Sequence, residues 1–183
     1  MCFVKIKKSM PTIEFETGTV FAEYGSKNDG IFKGVQYSHT TGKFDEFYNL
    51  IPTRYREQFF YPSLMSITSN VPPHTDSAIL SSINFYIQPS FCVTIFYNFK
   101  ENTDIIAKKI ANQTNGSLFD RLCLDEVGSF IAEQNDVWLL DVTKPHSVTS
   151  LLPNVEFRSA LVLQTKHFTF DQVQEMLAEQ NFL

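Results

Sequence analysis

Apolar and polar residues alternate in short runs along most of this chain, and turn residues separate the runs. In the first third, Thr12 to Phe15, Val20 to Tyr24 and Phe32 to Tyr37 read as strands. Thr17-Gly18 and Lys27-Asn28-Asp29-Gly30 stand between them as turns. Lys43 to Phe60 changes period. Phe44, Phe47, Tyr48 and Ile51 fall at helical spacing, Pro52 breaks the run, and Tyr55 and Phe59 continue the stripe. One interrupted helix or two short ones, packed on a sheet, are expected there. From Ser63 the alternation returns: Leu64, Ser66 and Thr68 on one face, Met65, Ile67 and Ser69 on the other, ending at Val71-Pro72-Pro73. Ser82 to Ile87 and Phe91 to Phe99 flank Gln88-Pro89-Ser90 and predict a hairpin. Phe130 to Ala132 and Val137 to Asp141 flank Glu133-Gln134-Asn135-Asp136 and predict another. Asp104 to Ala111 has the apolar spacing of a short helix. Val155 to Gln164 is the last long strand, and Asp171 is placed to cap a closing helix to about Gln180.

Helical stretches early, then many short strands at turn-spaced intervals, predict a mainly β fold: a sandwich or a double-stranded β-helix (jelly roll) with supporting helices. No repeat, low-complexity tract or linker divides the chain. It reads as a single domain, 1–183, with strands and helices over 1–62, a core over about 63–165 and a C-terminal helix over 171–180.

Composition narrows the functional classes. A hydrophobic content of 43% with 18 Phe among 183 residues supplies a sizeable core. The net charge of −5 argues against a broad phosphate-binding surface, and hence against nucleic acid as partner. Lys5, Lys7 and Lys8 form the one basic cluster, expected at a solvated strand edge. Three widely spaced cysteines, Cys2, Cys92 and Cys123, give no Cys-x-x-Cys pair and no disulfide framework. Cys92, in an apolar run, is expected to pack as a small hydrophobe. No run of eighteen apolar residues spans a membrane, and Glu14 and Glu16 interrupt the N-terminus before any signal-like stretch. The expectation is a protein of the reducing cytoplasm.

Candidate chemistry concentrates in His74-Thr75-Asp76, in Pro145-His146-Ser147-Val148, and in Arg158 twelve residues after His146. In an extended segment residues i and i+2 point the same way, so His74 and Asp76 can reach one ion. Two imidazoles and a carboxylate with open positions are the facial triad of non-heme iron sites. The bland alternatives are a surface His-Asp hydrogen bond and, for His146 beside the Val137-Trp138-Leu139-Leu140 strand, a satisfied core histidine. Arg158 shares a strand face with Ala160 and Val162. A guanidinium aimed into an apolar interior needs an anion, and its fork suits a carboxylate. The alternative for Arg158 is a surface salt bridge to Glu156 or Glu133.

Taken in order, Pro73-His74-Thr75-Asp76, Asn84-Phe85-Tyr86, Val137-Trp138-Leu139-Leu140, Pro145-His146-Ser147-Val148 and Arg158 resemble the 2-oxoglutarate- and iron(II)-dependent dioxygenases. The resemblance covers about Leu64 to Leu163 and is closest to aspartyl/asparaginyl and prolyl hydroxylase-like members. It implies a double-stranded β-helix, iron(II) on His74, Asp76 and His146, and Arg158 on the distal carboxylate of 2-oxoglutarate. Asn84 and Tyr86 would be further cosubstrate contacts. It also implies dioxygen as co-reactant, succinate and carbon dioxide as co-products, and ascorbate as a supporting reductant. An amino-acid residue of a protein or peptide, or a free amino acid, would be hydroxylated. Asp76 favours hydroxylation over halogenation, since the related halogenases lack this carboxylate.

Two departures stand out. Ala160 replaces the Ser or Thr often found two residues after the arginine, so a second hydroxyl is expected from Ser66 or Thr68. No arginine follows Asp76 shortly, which leaves the substrate contact unassigned. Two other classes remain open: a non-catalytic jelly-roll binding module with structural histidines, and a cupin-like metal-dependent hydrolase or isomerase.

Overall fold

Alternation in the sequence becomes two packed antiparallel sheets in the computed structural model, which describes all residues except 8–12, 30, 77, 102, 105–106, 110–115 and 153–157. The strands are β1 (Phe3–Ile6), β2 (Phe15–Asn28), β3 (Ile31–Gly42), β4 (Ser63–Ile67), β5 (Val71–Thr75), β6 (Ser81–Gln88) and β7 (Cys92–Phe99). They continue as β8 (Ala107–Lys109), β9 (Ser117–Phe119), β10 (Leu124–Ile131), β11 (Val137–Leu140), β12 (His146–Ser150) and β13 (Arg158–Thr165). One sheet has the order β1-β11-β6-β13-β4-β3-β2 and the other β10-β7-β12-β5-β9-β8. From β4 onward, β4, β6, β11 and β13 pair in the first sheet while β5, β7, β10 and β12 pair in the second. That interleaving is a double-stranded β-helix.

The interleaving overturns both predicted hairpins. β6 and β7 are consecutive but lie in different sheets, and so do β10 and β11. Their turns carry the chain across the barrel rather than back along its neighbour. Ser90 and Phe91 both take φ of 49° and Asn135 takes 69° at these crossings. A local pattern of strand, turn, strand is the same in either case, so only tertiary pairing distinguishes them. β2 and β3 do form a hairpin. Thr17-Gly18, expected as a turn, is instead an irregularity inside β2, where the register with β3 shifts.

Pro52 does split the early helical stretch, into α1 (Asp45–Tyr48) and a 3-10 turn over Thr53–Gln58. The expected helix from Asp104 to Ala111 lies partly outside the described residues. Its described part, Ala107–Lys109, is a strand paired with β9, so pairing overrides the local spacing. α2 (Phe170–Glu179) is capped by Thr169, not Asp171: the Thr169 hydroxyl accepts from Gln172 N–H in a capping box. Asp171 sits in the first turn instead, where its charge complements the helix dipole.

Two cores result. On the outer face of the larger sheet, Ile83, Phe85, Leu161 and Leu163 pack against Phe47, Leu50, Val173 and Leu177. Between the sheets lie Met65, Tyr86, Phe96, Val148, Ala160 and Val162. β1 forms an edge of the larger sheet, and its Lys5 is half-exposed with an ion pair to Asp136 at 2.7 Å. Cys92 and Cys123 are buried free thiols, as a small hydrophobe at Cys92 requires. Among the described residues no helix is long and apolar enough to cross a membrane.

Candidate metal centre and acid-binding slot

β5 and β12 are neighbours in the smaller sheet, and His146 stands directly opposite His74 in their ladder. Pro72 and Pro73 lie inside β5 and have no N–H to give, and the ladder shifts register next to them, between His146 and Val148. Asp76 follows as the strand ends, anchored by its N–H to the Val142 carbonyl at 2.9 Å. The result gathers one donor atom each from His74, Asp76 and His146 within 4.8 Å of one another. His74 Nε2 and Asp76 Oδ1 are 3.5 Å apart, and the two imidazole centroids are 4.3 Å apart.

Both rings are held from behind. His74 Nδ1 lies 2.9 Å from the Pro72 carbonyl and His146 Nδ1 lies 3.0 Å from the Lys144 carbonyl. A carbonyl only accepts, so each Nδ1 carries a proton, and a metal would meet each ring at Nε2. Phe96 stacks on His146 at 5.4 Å and fixes its plane. Electrostatics match a cation site. Burial, with the neighbouring His74, pushes His146 down to about 4. Burial works to raise Asp76, but its hydrogen bond with His74 and the charge of the histidines hold it below its ordinary value. For His74, burial is outweighed by Asp76, which raises it. These donors fit a divalent metal: two imidazole nitrogens and a carboxylate, with His146 buried and His74 and Asp76 partly buried.

Arg158 occupies the inner face of β13, as its alternation with Ala160 and Val162 predicts, and is only 2% exposed. Its Nη2 donates to Thr94 Oγ1 at 2.9 Å, and its guanidinium lies 4.7 Å from the Tyr86 ring centroid. Nε and Nη1 have no hydrogen-bond partner among the described residues. The surface salt bridge is overturned at Glu133, which is exposed and tied to the Asp136 loop; Glu156 lies outside the described residues. Among the described residues no carboxylate pairs with Arg158. The Tyr86 hydroxyl is likewise buried without a partner. Cys92 touches the guanidinium, but burial still raises its thiol, so it is a neutral neighbour.

A cavity of about 50 Å3 joins these groups: Arg158, Tyr86, Thr94 and Asn84 line it together with His74, Asp76 and His146. Val35, Tyr37, Val71 and Gln164 line both this slot and a wider cleft beyond the triad. Asn84 and Tyr86 therefore fall where the sequence placed them, with Asn84 accepting from Ser82 Oγ at 2.6 Å. Neither Ser66 nor Thr68, the residues expected to offer a second hydroxyl, lines the slot. Thr68 accepts from Gly34 N–H and faces the β3 backbone, while Met65 and Ile67 take the slot face of β4. The hydroxyl that meets Arg158 is that of Thr94, on the inner face of β7. Sequence reasoning missed Thr94 and Phe96, although both alternate inward on a strand it predicted. Tyr37 was missed too. Burial, reinforced by Asp76 and Tyr24, raises its phenol well above the ordinary value, so it is a neutral wall of the site.

No family model matches the sequence, and no curated protein matches it. Among solved structures, vicilin from Corylus avellana (hazelnut) aligns over 79% of this chain and 31% of the vicilin chain, with a TM-score of 0.41 and 10% identity. The chain thus spans about a third of that protein's length.

Proposed function

We propose that this chain is a 2-oxoglutarate-dependent iron(II) oxygenase acting as a hydroxylase. The supporting observation is one cavity with two ends: a His-Asp-His donor set at one and, at the other, a buried arginine that meets no carboxylate among the described residues. An unpaired buried guanidinium costs several kcal/mol or more, so a bound acid is the partner that makes its position favourable. A metal-dependent hydrolase or isomerase would use the triad but leave Arg158 idle, and a non-catalytic module leaves both unexplained.

His74, Asp76 and His146 would hold the metal. Arg158 would bind the distal carboxylate through its free Nε and Nη1, with Tyr86 Oη as a further donor. When bound, iron(II) and 2-oxoglutarate supply the oxidation: substrate C–H, dioxygen and 2-oxoglutarate give substrate C–OH, succinate and carbon dioxide. Asp76 brings a negative charge that offsets part of the metal's. Met65, Ile67, Leu140 and Val148 line the slot and keep water from the reacting centre. The slot alone is smaller than a five-carbon diacid, so part of that molecule would lie in the wider cleft that adjoins it at Val35, Tyr37, Val71 and Gln164. Amino-acid substrates are what the sequence resemblance implies; the wider cleft bears on that choice.

Incubation with iron(II), ascorbate and 2-oxoglutarate should release succinate, at least by slow uncoupled turnover. His74→Ala should abolish that release and stoichiometric cobalt(II) binding, read by visible absorption. Succinate release by His74→Ala at the unsubstituted rate would end the proposal.

A further inference from the structure

Beyond the triad lies a cleft of about 870 Å3, within the range of small-molecule sites. One wall is the β2–β3 hairpin. Ala22, Tyr24 and Ser26 line it from β2, and they stand opposite Tyr37, Val35 and Lys33 of β3 in register. These are alternate residues, so the cleft meets the hairpin's face and not its edge. A sheet face presents side chains, while its N–H and C=O groups run along the sheet. A polypeptide laid there gains no main-chain ladder of the kind that edge addition provides.

Aromatic groups dominate the remaining surface. Phe21, Phe60 and Tyr61 line the cleft and are each about half exposed, at 52%, 45% and 54%. Phe21 also packs on His39 at 4.5 Å. Between the aromatics, Gly25 and Gly34 leave bare backbone. A Cβ on either would sit 2.1 Å from the carbonyl oxygen of Lys33 or Tyr24, so no side chain can fill that floor. Flat apolar groups fit between aromatic walls and a glycine floor.

Charge separates the remaining ligand classes. Among the described lining residues Lys33 and Asp76 are the charged side chains, beside His39 and His74, and Asp76 belongs to the triad. A free amino acid would bring an ammonium with no carboxylate left to meet it, and burying that charge unpaired is costly. A polyanion would meet a single lysine.

We infer that this cleft binds an uncharged, ring-bearing small molecule, with the C–H to be oxidised directed at the triad. The oxidation rests on the oxygenase reading above; the binding preference rests on the cleft alone, and the two are separable by experiment. Titration of the cobalt(II)-loaded protein with 2-naphthol, 2-naphthoate, L-phenylalanine and an uncharged capped hexapeptide, followed by calorimetry, tests it. The neutral naphthol should bind at least tenfold more tightly than the other three. Ala22→Trp should weaken naphthol at least tenfold while leaving the cobalt spectrum unchanged, and Ser26→Trp, at an exposed position of the same wall, serves if the first variant does not fold. Lys33→Ala should change naphthol affinity less than twofold. Tighter binding of the carboxylate, the zwitterion or the peptide, or indifference to the tryptophans, would overturn the inference. Naphthol binding without any succinate release would instead sink the oxygenase reading and leave the cleft's preference standing.

Discussion

The two faces of the larger sheet are built from the same strands and do opposite things. On β6, Ile83 and Phe85 point outward to the helices, while Ser82, Asn84 and Tyr86 point inward to the slot. On β13, Leu161 and Leu163 are outward, and Arg158 is inward with two donor groups unmet. These four outward residues of β6 and β13 are apolar and buried against the helices. The inward face retains two guanidinium donors and a phenol hydroxyl that meet no hydrogen-bond partner among the described residues. One side of a single sheet thus holds the helix-packed core, and the other holds the groups assigned to the ligand in the proposed function. A period-two pattern lets one strand serve both without compromise.

A pair of substitutions three residues apart on β13 probes that division most strongly. Leu161→Ala should destabilise the fold by about 2–5 kcal/mol, since it opens a cavity in the helix-packed core. Arg158→Met should leave stability unchanged or raise it by about 1–4 kcal/mol, since a charge without a partner is replaced by an apolar chain of similar length. The same Arg158→Met should raise the 2-oxoglutarate concentration needed for half-maximal succinate release at least tenfold. Urea unfolding and a cosubstrate titration read the two effects. A strongly destabilised Arg158→Met with normal cosubstrate dependence would make Arg158 an ordinary core residue and erase the contrast.

The next effect belongs to the metal end. In the metal-free protein Asp76 raises His74 while His146 is depressed to about 4. Over the intervening range the site holds one proton, on His74, which a metal must displace. Affinity for cobalt(II) should therefore fall about tenfold per pH unit as pH drops below the raised value of His74, and more steeply only near pH 4 where His146 also protonates. A flat affinity between pH 7 and pH 5 would mean that His74 is not a ligand.

The sequence carried the site better than it carried the topology, for a physical reason. His74 and Asp76 are two apart in an extended segment, so their shared direction is a local property. Arg158 among Ala160, Leu161 and Val162 is likewise legible, because a charge in an apolar run must have a purpose. The crossings at Gln88-Pro89-Ser90 and Glu133 to Asp136 look like hairpin turns because a turn does not encode which sheet receives the next strand. The Thr94 contact was hidden for the same cause: its partner is 64 residues away, on the opposing sheet. Composition could not separate Thr94 from Ser66 or Thr68 as the hydroxyl beside the arginine.

Thr94→Val gives the smallest effect and the finest resolution. Thr94 Oγ1 accepts from Arg158 Nη2 at 2.9 Å, and both groups are buried. Valine keeps the shape but removes the acceptor, so the guanidinium loses a hydrogen bond that orients its fork. A hydrogen bond to a charged group is worth about 1.5–3 kcal/mol, and part of that returns once an acid occupies the slot and takes over the donors. The expected loss in 2-oxoglutarate affinity is therefore about three- to tenfold, below that of Arg158→Met, with metal binding unaffected. In the double variant Arg158→Met/Thr94→Val the threonine change should add nothing, since the group it orients is gone. If the two losses multiplied instead, Thr94 would be meeting the acid directly rather than aiming the arginine.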